Sequence, residues 1–164
     1  MKNQVLFTLL CASALFASCS QNSDGNKSKE AGAAKTDTVG TKECYVALDS
    51  NDKATLKLRT LADGKVTGNL LIAYHEKGKN DGTLEGKFSG DTLFVDYTFK
   101  IGTENPTVYK NPLAFLKKDG QLIMGVGVIE TYLGRSYFAK DKPIRFDRSK
   151  FIFDPAACEE EKGL

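Results

Sequence analysis

The sequence predicts an all-β domain: an antiparallel up-and-down β-barrel of eight to ten strands, with an open β-sandwich as the alternative. Three observations carry this. Apolar and polar residues alternate at period two through much of the chain after Cys44, the pattern of strands with one wet face. Turn pairs break these runs at hairpin spacing: Asp63-Gly64, Asp81-Gly82, Gly90-Asp91 and Asp119-Gly120. The intervals leave no room for the crossover helices that a parallel sheet needs.

Lys2 precedes a mostly apolar run from Val5 to Phe16. About a dozen residues, most of them apolar, are too few for a membrane-spanning helix of roughly 20, and they fit the apolar region of an export signal. Small Ala17 and Ser18 then precede Cys19. The stretch Leu15-Phe16-Ala17-Ser18-Cys19 resembles the lipobox of bacterial lipoproteins, with Phe16 where Leu is usual. The resemblance implies that residues 1–18 are a signal peptide and that Cys19 is acylated (palmitate-type chains) and becomes the first residue. The alternative is plain secretion, with a cut after Ser20 that places Ser18 in the small-residue position. Each buried acyl CH₂ contributes about 0.8 kcal/mol, so several chains hold a protein to a membrane. Ser20 after the Cys implies, by the same resemblance, the outer membrane, on its periplasmic side or at the cell surface.

Residues 19–43 follow as the lipidated Cys and a tether. Gln21 to Thr41 is rich in Ser, Gly, Ala, Lys, Asp and Thr, a composition that buries no core and serves as a spacer. Residues 44–164 then make one barrel domain of a size that supports one core. The formal net charge of +2 gives no support to nucleic-acid binding. The chain holds four Cys. With Cys11 lost in the signal and Cys19 acylated, Cys44 and Cys158 remain, and in an oxidising envelope such a pair reads as a disulfide.

The strands follow in order. Ala54, Leu56 and Leu58 alternate with Thr55, Lys57 and Arg59. Val66, Leu70, Ile72 and Tyr74 share a face with Gly68, and Leu84 and Phe88 share one with Gly86. Val66-x-Gly68-x-Leu70 recurs as Leu84-x-Gly86-x-Phe88, so Gly falls on the inward face at mid-strand twice. Inward Gly permits the sharp coiling of a small closed sheet, and Gly125 and Gly127 look similar. Leu93 to Ile101 is the most regular run. Thr107 to Lys117 carries Asn111-Pro112, which predicts an edge or a bulge. Leu122 to Thr131 reads as one long strand, with Arg135 to Ala139 pairing back across Tyr132-Leu133-Gly134. Ile144, Phe146, Phe151 and Phe153 give one or two last strands. Asp154-Pro155 reads as a helix cap and first helical position, opening a short turn through Cys158. A Cys44–Cys158 bridge would suit a closed barrel, whose first and last strands meet.

In order, size and turn rhythm, residues 44–158 resemble small lipocalin-like barrels. Cys44-Tyr45, the Gly-bearing hairpins over 66–88, Gly90-Asp91-x-Leu93 and the late Cys158 are similar to small lipoproteins of Bacteroides-type bacteria. The lipocalin Gly-x-Trp signature is absent, since the chain has no Trp, so the resemblance carries architecture and brings no catalytic residues.

The chemistry-bearing residues are sparse. His75 is the sole His; it cannot build a multi-His zinc site, and no Gly-x-Ser-x-Gly elbow accompanies it. Neither a metal site nor a cofactor site is expected. Glu85, Asp96 and Glu130 fall on strands, but Glu85 and Asp96 face outward by alternation, and no enzyme is expected. Arg135, Lys140, Lys142, Arg145, Arg148 and Lys150 form a basic cluster diluted by Asp141 and Asp147; it reads as a solvated rim. Tyr74, Phe88, Tyr97, Phe99 and Phe138 are expected inside the barrel, as core or as the lining of an apolar pocket. The functional expectation is a non-enzymatic, membrane-anchored envelope lipoprotein, a monomer. It binds a small apolar ligand or a partner protein. The alternative is a structural or inhibitory protein acting through its loops on another envelope protein.

Overall fold

The computed structural model describes residues 40–159. The expected signal peptide, Cys19 and the tether up to residue 39 lie outside the described residues. Ten strands form: β1 Thr41–Asp49, β2 Asp52–Thr60, β3 Lys65–Tyr74, β4 Gly78–Ser89, β5 Thr92–Ile101, β6 Tyr109–Lys118, β7 Gln121–Met124, β8 Ile129–Tyr132, β9 Arg135–Phe138 and β10 Ile152–Ala156. Eight of them close into an antiparallel barrel in the order β1-β10-β7-β6-β5-β4-β3-β2. Strands β1 to β7 run as a meander, each paired to the next. Strand β10 closes the wall between β7 and β1, so the arrangement is the expected barrel and not the sandwich. Strands β8 and β9 form a separate ribbon.

Register explains why the alternation closes. Tyr45 pairs with Leu56, Leu56 with Leu70, Leu70 with Gly82 and Gly82 with Phe99. The next inward row runs Leu58, Gly68, Leu84 and Tyr97. Large side chains thus stand beside glycines, and the wall coils where the glycines are. At Gly86 an added Cβ would meet Phe94 O and stand 2.7 Å from the Cα of Val95, so β4 and β5 approach too closely for any other residue. This is the curvature that the repeated inward Gly predicts. Gly125 and Gly127 act differently: a Cβ there would strike the side chains of Phe146 and Phe138, not the backbone of a paired strand.

The disulfide is formed. Cys44 and Cys158 are bonded across a sequence separation of 114, beside the closing pairing of Cys44 with Ala156.

Several expectations are corrected. Asp81-Gly82 is no turn: both residues lie inside β4, with Asp81 paired to Leu71 and Gly82 to Leu70. The chain reverses earlier, between Tyr74 and Gly78. Gly82 serves close approach to Phe99, not a positive φ. Strand β1 begins before residue 44, the expected start of the domain, because Thr41 pairs with Thr60 and Lys42 with Arg59; backbone pairing needs no apolar side chains. The run from Leu122 to Thr131 is split at Gly125–Val128 into β7 and β8. Asp154-Pro155 opens no helical turn. It lies in β10, with Pro155 opposite Tyr45. Beyond Phe153, β10 has lost its β7 partner, so a residue without an N–H is tolerated there. Pro112 fits the predicted edge: it pairs with Asp96 on β5, while β6 meets β7 only from Phe115 onward.

That free half of β6 is covered from outside. Pro112 and Ala114 face away from the core yet are buried. Strand β9 lies against β6, Gly125 N donates to Ala114 O at 2.8 Å, and Ala139 is buried nearby in the chain after β9. The molecule therefore has a main core inside the barrel and a small one between wall and ribbon.

Candidate functional site

The barrel interior is where Tyr74, Phe88, Tyr97, Phe99 and Phe138 are expected. Tyr97 and Phe99 are buried and stacked, with ring centroids 4.6 Å apart. Phe99 also stacks on Tyr109 at 5.5 Å. The Tyr97 hydroxyl donates to Leu70 O at 2.9 Å, and burial pushes its pKa well above the usual phenol value. Phe88 pairs with Leu93 and packs on the core. Tyr74 does so at the far end, its ring 6.5 Å from that of Phe151. These four behave as core, together with Phe115 and Phe153, which meet edge to face at 5.8 Å. The barrel interior is occupied by side chains.

Phe138 is a correction. It lies on β9, outside the barrel, against Gly127 and in a surface hollow with Phe94 and Pro112. Its alternation is that of a half-buried strand residue, but the buried side is the outer face of β6.

The basic cluster divides. Lys150 caps the end of the barrel: its Nζ lies 2.7 Å from Asp52 Oδ2 and 3.5 Å from Asp49 Oδ2, and 5.4 Å from the Tyr74 ring centroid. His75 N also donates to Asp52, at 2.7 Å. The ammonium of Lys150 holds the Asp52 carboxyl below its ordinary value, helped by the His75 N–H. The same bond from Asp52 raises the Lys150 pKa. Arg145 grips Asp147 with two hydrogen bonds, 2.9 and 2.6 Å, and Lys142 lies 3.4 Å from Asp141. Arg135, Lys140 and Arg148 have no ion-pair partner among the described residues.

The carboxylates on strands do come together in part. Glu85 and Asp96 are direct cross-strand neighbours on the outer face. Each is met by a lysine: Lys65 with Glu85 at 2.6 Å, and Lys110 with Asp96 at 2.8 Å. Both pairs are solvent-exposed and contribute little to stability. Glu130 stands in the other sheet. His75 is exposed, and no metal-ligating group of three acids, His or Cys occurs among the described residues.

The concave surface lies outside the wall. A groove of about 840 Å³ crosses β1 to β4, and the C-terminal segment at Cys158 borders it. Its floor is polar and charged, with Lys42, Lys57, Arg59, Asn69, Thr83 and Glu85. The disulfide shapes this groove by pinning the end of the chain over β1. Sequence reasoning missed it, because outward polar residues of a half-buried strand all look like solvated ones.

The ribbon offers a different surface. Thr131 and Ser136 pair on one face, with hydroxyls 3.2 Å apart. Glu130 with Tyr137, and Tyr132 with Arg135, pair on the other. Compared with protein-family models, curated proteins and solved structures, the chain matches none.

Proposed function

We propose that this protein is a lipoprotein of the cell envelope, anchored through acylated Cys19. It works without catalysis by holding a partner protein against the outside of its barrel. The observation that supports this most is the interior itself. Tyr97, Phe99, Phe115 and Phe153 occupy the space in which a lipocalin-like binder would hold a small apolar ligand. The concavity is outside instead, and its lining crosses four strands with mostly polar side chains, a surface suited to a segment of another protein.

A second reading has its own support. Leu48, Ile101 and Val108 are exposed apolar residues at the barrel end that carries the 75–77 and 102–108 loops. A structural or inhibitory protein would use that end against another envelope protein.

Site-specific photocrosslinking in the producing cell tests the proposal, with the probe at Lys57 or Thr83 in the groove, or at Val108 on the loop. A discrete adduct from the groove positions supports the first reading, and one from Val108 alone the second. Adduct-free positions would return the function to the interior if residues 20–164 also release a small ligand in native mass spectrometry. Anchoring is read separately, by palmitate labelling that disappears in Cys19→Ala.

A further inference from the structure

The turn between β8 and β9 holds the wrong kind of residue for its geometry. Tyr132 pairs with Arg135, so Leu133 and Gly134 alone make the turn, with φ of 49° and 75°. Positive φ at both central residues calls for Asn, Asp or Gly at the first position. The β6–β7 turn has the same geometry, with φ of 50° and 82°, and there the residues are Asp119-Gly120. Leu133 instead puts a branched apolar side chain into the left-handed region, which costs backbone energy. Nothing in the fold repays it, since Leu133 is 85% exposed. Behind it Tyr132 is 67% exposed, and Val128 and Ile129 are exposed as well.

The charge around this tip is not balanced. Lys150 is held at the barrel end by Asp49 and Asp52, and residues 126–148 hold five Lys and Arg against three Asp and Glu. Arg135 and Lys140 have no ion-pair partner among the described residues. The acidic groups beside the aromatic face are Glu130 and Asp141, and Asp141 is already within 3.4 Å of Lys142.

We propose that the β8–β9 ribbon docks on the surface of an anionic lipid bilayer, with Leu133 inserted below the headgroups. The order along the ribbon matches the polarity gradient of a bilayer. The apolar Leu133 leads at the tip, and Tyr132 and Arg135 stand side by side as the first pair behind it, at the depth where amphipathic aromatics collect and a cation meets lipid phosphates. A narrow convex tip needs no complementary pocket in a fluid surface, whereas a protein partner would have to supply one. The insertion itself does not depend on the anchor, so the two can fail separately.

Vesicle flotation tests it, using the chain from Ser20 onward, which contains every described residue and no lipid. The probes are vesicles of mixed phosphatidylglycerol and phosphatidylcholine, and vesicles of phosphatidylcholine alone. The wild-type chain is expected to float with the mixed vesicles, and less with the neutral ones or in high salt. Leu133→Asn is expected to lose roughly tenfold or more in vesicle affinity while melting no lower than wild type, because Asn suits the turn. Leu133→Phe keeps an apolar tip and is expected to float as well as wild type. A wild-type chain that floats with neither vesicle overturns the proposal. So does a Leu133→Asn chain that floats unchanged, which would leave the tip to a protein partner.

Discussion

Two hairpins of this protein share one turn geometry and have opposite fates. The β6–β7 hairpin turns at Asp119-Gly120 and delivers Phe115 and Leu122 to the barrel core, both fully buried. The β8–β9 hairpin turns at Leu133-Gly134 and leaves all four residues of β8 exposed. The first is held by what it buries. The second is held along β9, through Phe138 against Gly127 and through the covered outer face of β6. Local chain reversal is thus independent of burial, and a ribbon with little burial is free to present its side chains to something else.

The disulfide gives the largest expected effect, because it ties the barrel and not the ribbon. Cys44→Ser opens a loop closed across 114 residues, and in the chain-entropy account it costs about 4–5 kcal/mol. Thermal melting should fall sharply under oxidising conditions, and reductant should bring the wild-type protein to the same value. Equal melting of the two without reductant would remove the bridge from the list of stabilising features.

The two cores can be compared directly. Phe115→Ala should cost about 3–5 kcal/mol, since the ring is fully buried and touches Phe153. Phe138→Ala should cost about 1–2 kcal/mol and release the ribbon while the barrel persists. Hydrogen exchange separates these outcomes: Phe138→Ala should raise exchange in β8 and β9 and leave β3 to β5 protected. A global loss of protection would mean that the ribbon is part of the barrel's cooperative unit.

Alkali should act on the barrel side of the comparison. Burial first, then the charge of Glu43 and the hydrogen bond to it, push the Tyr45 phenol up to about 12. Burial raises Tyr97 in the same direction. A phenol whose folded pKa lies above its unfolded value near 10 favours the folded state while it is neutral. Its contribution is fully present below about pH 10 and is lost as pH rises toward 12. Stability should therefore hold through neutral pH and fall above about pH 10, and Tyr45→Phe should move that fall to higher pH. An unmoved alkaline midpoint in both Tyr45→Phe and Tyr97→Phe would refute this.

The smallest effect has the opposite sign. Leu133→Asn relieves a left-handed leucine and should gain about 1 kcal/mol or less, read as a small rise in melting temperature. The same change at Asp119, already suited to its turn, should do nothing measurable. A loss of stability in Leu133→Asn would show that the leucine is packed, not presented.

How far these features were legible depends on what each signal measures. Period-two alternation reports that a strand has a buried face, and it placed Leu56, Leu70, Leu84, Tyr97 and Phe99 correctly. It does not report which side of a wall does the burying, so Phe138 was expected inside and lies outside. An Asp-Gly pair reports either a turn or a close approach of backbones. Asp119-Gly120 is the first, with positive φ at both residues, and Asp81-Gly82 the second, paired inside β4 and close to Phe99.

From sequence alone came the all-β class, the inward glycines that curve the wall, most turns, and the pairing of Cys44 with Cys158. Each of these rests on chain periodicity, local backbone preference or the elimination of alternatives. The tertiary structure alone decided that Asp154-Pro155 continues a strand, that Tyr97, Phe99, Phe115 and Phe153 are buried in the barrel core, and that Leu133 is left in solvent. These depend on which surfaces meet once the barrel has closed, and contacts between residues distant in sequence leave no local trace.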